Sequence, residues 1–323
     1  VDQLALHAAN VTYGLPWYLF KSHKSINRFN FDLFWGTQGL VPAHLSQAIP
    51  SVITIHDCVH QASLAYAPSL TYNLLHRYFV ARGARRSSKI LTVSRFVADE
   101  IRRHYGIPAT KLEVTPLGVD SRFLSTNIDP TRTSRVLANL QIEMPFLLWV
   151  GILEPRKNLG KLFEAFALLP ADIKRRLQLV LVGKKGWGQR KIVSSLKVLS
   201  SDCRVLLTGY VSDESLPHIY AAAEAFVFPS FYEGFGLPVL EAMAAGCPVV
   251  ASDASSLKEV VGKAGITLDP TGPAEEWSRS IATVLSSAEL RRQLRESGFL
   301  QAGRYTWDEC AMLTGEVFHA IAK

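Results

Sequence analysis

The sequence predicts an α/β protein whose parallel sheets are doubly wound and divided between two units. Short β-branched or apolar runs ending in Gly, Ser or Asp alternate with helical patterns along the chain, the order expected of parallel strands joined by helices. At 323 residues the chain exceeds the usual size of one domain. Its 48% hydrophobic and 20% charged residues are those of an ordinary globular protein, and no apolar run approaches the ~18 residues of a membrane-spanning helix.

The first set of runs predicts strands over 33–35, 51–56, 89–93 and 113–115, with helices over 70–86 and 95–105. Residues 121–145 are polar, include Pro130 and lack a strand signal until Phe146, so they are expected to connect the two units. The second set predicts strands over 146–150, 179–182, 205–208, 225–228, 248–251 and 266–268. Helices are expected between them over 159–169, 190–199, 214–222, 238–245 and 274–287, which completes one six-stranded sheet. Four strands are few for a partner domain of ~100–150 residues, so a front portion on the order of 80 residues is expected to lie ahead of this chain. The first residue being Val1 rather than Met points the same way, and no signal-peptide pattern is visible. The expected division is residues 1–124, 125–304 and a closing helix at 305–323.

Net charge is +7 and unevenly placed: residues 1–128 hold 13 Lys/Arg against 7 Asp/Glu. Nucleic acid, an anionic membrane surface or a phosphate-bearing substrate would each account for the excess, as would a solvated helix face. No aromatic-interleaved basic motif supports nucleic acid, so none is expected as a partner. Cys58, Cys203, Cys247 and Cys310 lie far apart without metal-finger spacing, which fits reduced thiols, a cytoplasmic setting and no bound metal.

Ligands of open parallel sheets gather at the carboxyl ends of strands. The most informative string there is Glu233-Gly234-Phe235-Gly236-Leu237-Pro238, running on to Glu241. It follows the run ending Phe228-Pro229-Ser230 and opens a helix, for which Pro238 suits the first turn. Two glycines let the amides of Phe235, Gly236 and Leu237 approach an anion at the helix start. Glu241 is expected in the first helical turn, with its carboxylate accepting both hydroxyl hydrogens of a ribose, while Glu233 meets sugar hydroxyls. In Gly151-Ile152-Leu153-Glu154-Pro155-Arg156-Lys157-Asn158, two cations follow another strand, and Arg and Lys are the groups that hold a diphosphate. Further strand ends carry Gly183-Lys184-Lys185-Gly186-Trp187, Thr208-Gly209-Tyr210, Thr54-Ile55-His56-Asp57 and Val93-Ser94-Arg95-Phe96, where Ser94 suits an N-cap.

The stretch from Glu233 to Glu241 resembles the E-x7-E signature of family-4 retaining glycosyltransferases, in the form E-G-F-G-L-P-x-x-E. The similarity extends over nearly all the second half and much of the first. It implies a GT-B fold, two Rossmann-like domains facing a cleft, with the first of them incomplete here. By the same resemblance Arg156 and Lys157 clamp the donor diphosphate, and Gly151, Gly183 and Tyr210 border the nucleotide. His56 faces the transferred sugar, Asp57 and Ser94 lie on the acceptor side, and the helix after Arg304-Tyr305-Thr306-Trp307 is the closing helix that crosses back onto the first domain. The family's front glycine loop has no match in residues 1–30, where Gly14-Leu15-Pro16-Trp17 looks like the entry to a helix. Thr54-Ile55-His56-Asp57 resembles mannosyltransferase-like members. The expected activity is therefore metal-independent, retaining transfer of a hexose from a nucleotide sugar to a glycan or lipid-pyrophosphate-linked acceptor, as in bacterial polysaccharide or O-antigen synthesis. GDP-mannose is the first choice of donor, UDP-sugars are the second, and a nucleotide-sugar-binding protein without turnover is the rival class. Cytoplasmic placement at the inner face of the cell membrane fits such an acceptor. A nicotinamide dehydrogenase is disfavoured, because neither half has GxGxxG with an acid ~20 residues on.

Overall fold

The protein is described by a computed structural model over residues 15–29, 31–62, 70–187, 196, 199 and 203–322. The first sheet holds β1 (Phe34–Gly36), β2 (Ser51–Ile55), β3 (Lys89–Thr92) and β4 (Leu112–Val114) in the order β1-β2-β3-β4, all parallel. The second holds β5 (Phe146–Val150), β6 (Gln178–Val182), β7 (Arg204–Gly209), β8 (Ala225–Phe228), β9 (Val249–Ser252) and β10 (Ile266–Leu268), also parallel. Its order is β10-β9-β8-β5-β6-β7, so the chain winds one way from β5 and returns to lay β8 on its other side. That reversal opens a crevice at the carboxyl ends of β5 and β8, where a doubly wound sheet binds its ligands.

The central strands are apolar on both faces because helices cover both sides. β2, β5, β6, β8 and β9 are buried throughout. One apolar cluster runs through both sheets, with Trp149, Phe146, Phe163, Phe226 and Trp277 among its largest side chains. Helices begin where the sequence places caps. Ser94 accepts from the Val97 amide at the start of Arg95–Tyr105, and Thr306 accepts from the Glu309 amide at the start of Trp307–Ile321. Gly106 ends the former helix at φ 67°.

Predicted and observed strands differ by a residue or so at their ends, and two larger differences concern helices. The connecting stretch contains a helix, Pro130–Asn139, with Asp129 accepting from the Thr131 amide and Pro130 in the first turn. Its outer face is polar, which hides it in the sequence; Leu137 is buried, and Thr133 Oγ1 lies 2.8 Å from His218 Nδ1. A second unexpected helix, Ala288–Ala302, packs on the helix Leu237–Ala244. The helix expected over 190–199 lies almost wholly outside the described residues, as does Gly14, although a helix does start at Leu15.

The last helix, Trp307–Ile321, leaves the second unit and covers the first sheet. Val317 closes a small apolar cluster with Val52 and Leu91, and the Phe318 ring lies 5.2 Å from that of Trp35. Cys58 and Cys247 are buried, and Cys203 and Cys310 are half-buried.

Candidate functional site

The crevice at the ends of β5 and β8 gathers the charged residues. After β5 the chain makes a 3-10 turn, Pro155–Lys157, which Asn158 ends at φ 53°. This turn directs both cations at the loop after β8. Arg156 Nη1 donates to Glu233 Oε2 at 2.9 Å and to the Tyr232 carbonyl at 3.0 Å, while its Nε donates to Glu154 Oε2 at 3.0 Å. Lys157 Nζ donates to Glu233 Oε1 at 2.7 Å and lies 5.0 Å from the centre of the Phe228 ring. Lys157 and Glu233 are only 5% and 6% exposed, so their pairing takes place largely out of water.

That environment decides the protonation of all three. Burial would raise the Glu233 carboxyl, but Lys157 and Arg156 outweigh it and hold it below its ordinary value. Burial lowers the Lys157 ammonium against the pull of Glu233. For Arg156 burial works downward too, and Glu233 and Glu154 together more than reverse it.

The loop itself is held from behind. Ser255 Oγ accepts from the Glu233 amide at 2.9 Å, and Ser256 Oγ donates to the carbonyls of Glu233 and Phe235 at 2.9 and 2.8 Å. The amides of Phe235, Gly236 and Leu237, which open the helix Leu237–Ala244, find no acceptor among the described residues. They are the bare N–H groups an anion needs. The Phe235 side chain turns away, buried and edge-on to Tyr305 at 5.6 Å.

Glu241 is a correction: it is the fifth residue of that helix, beyond its first turn, because the helix starts at Leu237, with Gly236 as N-cap, one residue earlier than expected. Its Oε2 accepts from Tyr220 Oη at 3.0 Å. Burial raises its carboxyl to about 7, opposed by the Tyr220 hydrogen bond and aided by Asp213 and Asp120. No hydrogen bond or ion pair among the described residues joins Glu241 to the Arg156–Lys157–Glu233 group.

The first sheet meets this loop directly. A Cβ on Gly234 would lie 2.1 Å from the His56 carbonyl oxygen, so only glycine allows the two chains to approach so closely. Ser94 Oγ donates to the Gly234 carbonyl at 2.7 Å, and Tyr232 Oη accepts from the Cys58 amide at 2.9 Å. The exposed His56 ring has its Nε2 3.0 Å from the Thr37 carbonyl, and Asp57 Oδ1 accepts from the Val59 amide at 3.1 Å.

The remaining expected residues lie at neighbouring strand ends. Gly151, at the end of β5, donates to the Val182 carbonyl at 2.9 Å, and Gly183 donates to the Gly209 carbonyl at 2.8 Å. Gly183 adopts φ 145°, and a Cβ there would meet the Gly151 carbonyl oxygen at 1.8 Å, so these loops are stacked backbone on backbone. Tyr210 is exposed, with Lys184 Nζ 4.5 Å from its ring centre.

Sequence reasoning passed over Glu154, Tyr232, Ser255 and Ser256 as site residues. The Ser255-Ser256 pair soon after β9 was the available signal, small hydroxyls at a strand's carboxyl end. A cavity of about 750 Å³ lies elsewhere, bordered by Arg95, Glu259, Lys263, Arg304 and Tyr305. Among the described residues no cluster of three His, Cys, Asp or Glu is placed to hold a metal ion, and no helix is long and apolar enough to cross a membrane.

Comparison with known proteins gives the family and the fold. Residues 135–301 match the family model described as glycosyl transferases group 1, and residues 6–123 match that of glycosyltransferase family 4. The O-antigen chain mannosyltransferase B of Escherichia coli is 35% identical over 283 residues, which cover 87% of this chain and 72% of that protein. The MMP alpha-(1->4)-mannosyltransferase of Mycolicibacterium hassiacum is 31% identical over 311 residues, covering 92% and 72%. The serotype-specific mannosyltransferase WbdA of Escherichia coli is 28% identical over 72% of this chain, which spans only 29% of that longer protein. Among solved structures, WaaG, a glycosyltransferase involved in lipopolysaccharide biosynthesis, superposes with a TM-score of 0.73 at 20% identity, covering 93% of this chain and 80% of WaaG. Anabaena HepE in complex with UDP-glucose gives 0.74 at 19%, covering 92% and 80%. At that identity the likeness establishes the fold, which is the GT-B type with two parallel-sheet Rossmann-like halves.

Proposed function

The chain belongs to the group 1 glycosyltransferases, and from that premise we propose that it transfers a mannosyl residue from GDP-mannose, with retained anomeric configuration and without a metal, to a glycan or lipid-pyrophosphate-linked acceptor hydroxyl in polysaccharide or O-antigen synthesis. The single observation that carries this reading is the convergence of Arg156 and Lys157 on Glu233, two residues ahead of the bare amides of 235–237. Paired cations beside unpaired N–H groups suit a pyrophosphate, whose charge grows as the sugar leaves. Mannose is favoured because the relatives sharing most of this chain are named as mannosyltransferases.

In the proposed step the bond between the sugar's anomeric carbon and the diphosphate oxygen breaks as a bond to the acceptor oxygen forms on the same face. The acceptor proton passes to an oxygen of the leaving diphosphate, and Arg156 and Lys157 stabilise the charge that remains. Glu233 positions the two cations and meets sugar hydroxyls, and Glu241 accepts from the ribose hydroxyls. Gly151, Gly183 and Tyr210 border the nucleotide, His56 faces the sugar, and Asp57 and Ser94 face the acceptor.

A thermal-shift panel of GDP, UDP, ADP and their sugars tests the donor, with GDP-mannose expected to raise Tm most. A larger shift from a UDP-sugar would replace the donor and leave the reaction class standing. Transfer that persists in EDTA and yields the α-linked product from an α-linked donor tests the rest; binding without turnover would reduce the protein to a nucleotide-sugar-binding module.

A further inference from the structure

The first turn of the helix Arg95–Tyr105 is completed by the other unit. The leading amides of a helix lack partners within it. Ser94 Oγ takes the Val97 amide at 3.2 Å. The other two are taken by Glu259 of the second unit, whose Oε2 accepts from the Arg95 amide at 3.1 Å and from the Phe96 amide at 3.4 Å. Its Oε1 lies 3.3 Å from the Arg95 amide as well. Arg95, Lys263 and Arg304 border the cavity beside Glu259. Among the described residues, however, no ion pair joins Glu259 to any cation. Its carboxylate is given to the helix start, where the helix dipole favours a negative charge.

Glu259 also belongs to the piece that holds the loop of Glu233. Its helix, Leu257–Val261, directly follows Ser255 and Ser256, which bind the Glu233 amide and the carbonyls of Glu233 and Phe235. Leu257 packs so tightly on the same loop that a Cβ on Gly236 would lie 2.6 Å from Leu257 Cδ2. The hold on the first unit, at Glu259, is therefore three residues from the hold on the loop, at Ser256. Three ties then join this loop to the first unit: Tyr232 to the Cys58 amide, Ser94 to the Gly234 carbonyl, and Glu259 to the helix start by way of Ser256. The first two are single bonds between uncharged groups. The third is charge-assisted and shared by two amides, so its loss should slacken the others.

We infer that Glu259 is a positioning residue: by completing the start of Arg95–Tyr105 it fixes where the loop 233–237 stands against His56 and Ser94. Its hold on the loop is independent of the proposed reaction; only the consequence for turnover rests on that reading.

Amide exchange and kinetics of two variants test the inference. Glu259→Ala is expected to speed exchange about tenfold at Cys58, whose amide Glu259 does not touch, as well as at Arg95 and Phe96. It should also lower kcat about tenfold and change donor KM less than about twofold, because most of the donor's proposed contacts lie on the second unit. Glu259→Gln keeps an accepting oxygen without the charge, and should show the same changes reduced to about threefold. A cap of local effect alone would speed exchange at Arg95 and Phe96 and leave Cys58 and kcat at their wild-type values, which would overturn the inference. A donor KM that rises as much as kcat falls would overturn it too. Exchange is read on the protein without substrate, so Cys58 decides the role of Glu259 whether or not transfer is found. Absence of transfer by the unaltered chain counts against the proposed reaction alone.

Discussion

Glu233 sits between two cations, and its removal is costly in two ways. A buried ion pair adds little net stability, but breaking one leaves a charge without a partner and costs ~3–5 kcal/mol. Glu233→Ala should therefore lower stability by about that amount in a denaturant titration, with Lys157 as the stranded charge. Lys157→Ala should reduce kcat by about 10²–10³, the worth of one group aimed at developing charge, and change donor affinity less. Equal losses in kcat and affinity would place Lys157 in ground-state binding. Glu241 behaves differently, because its carboxyl is raised to about 7. In the proposed role ribose hydroxyls donate to the ionised form, so affinity for the donor nucleotide should strengthen as pH rises from 6 to 8, and Glu241→Gln should flatten that profile. The stability sign is opposite: a raised carboxyl costs nothing below its unfolded value of ~4.3, and the burial cost grows to its full size above about 7. Without ligand, Glu241→Gln should thus raise Tm more at pH 8 than at pH 4.5. Glu241→Ala should weaken donor binding by ~1.5–3 kcal/mol, read by calorimetry. The charged pair Arg156-Lys157 was legible in the sequence as adjacent cations just after a buried strand, in a pattern that resembles the family's diphosphate clamp. Ser255 and Ser256 carry only the weak signal of small hydroxyls after a strand, because their partners lie in the loop after β8, and Glu154 shows in the sequence only as one more charge beside its partner Arg156.

Among the elements, the strands were legible because a strand covered on both faces is largely apolar, as β5 and β8 are throughout. The helix Pro130–Asn139 was not, since it buries Leu137 and turns Thr, Arg and Ser outward, a pattern that also suits a linker. Its cap pair Asp129-Pro130 was the readable sign. The stacking of loops at strand ends is a property of elements rather than single residues. Gly183→Ala would drive a methyl into the Gly151 carbonyl at a φ that L-residues avoid, so it should cost ~1–3 kcal/mol in a denaturant titration, the range for overpacking. Gly234→Ala should act between the sheets: a methyl against the His56 carbonyl forces the loop away from the first unit. Its clearest sign would be faster amide exchange at Cys58, whose N–H is held by Tyr232.

At the scale of the molecule, the two sheets and their parallel order follow from periodicity, whereas the crossing of the last helix back to the first unit was expected only from the family resemblance. An amphipathic tail says only that it must cover something. The structure identifies what it covers, Val52 and Leu91 on the first sheet, while Thr306 and Trp307 rest against Gly118. Val317→Asp would set a carboxylate in that contact, and the first sheet should then melt before the second in calorimetry, separating transitions that otherwise coincide. The same contact orders the protein's birth. A ribosome delivers Val52 and Leu91 long before Val317, so the first half of the nascent chain must keep an uncovered greasy patch throughout translation. The half made first is thus finished last, and until the final turns of helix clear the exit tunnel it remains a natural client for any chaperone that seeks exposed hydrocarbon.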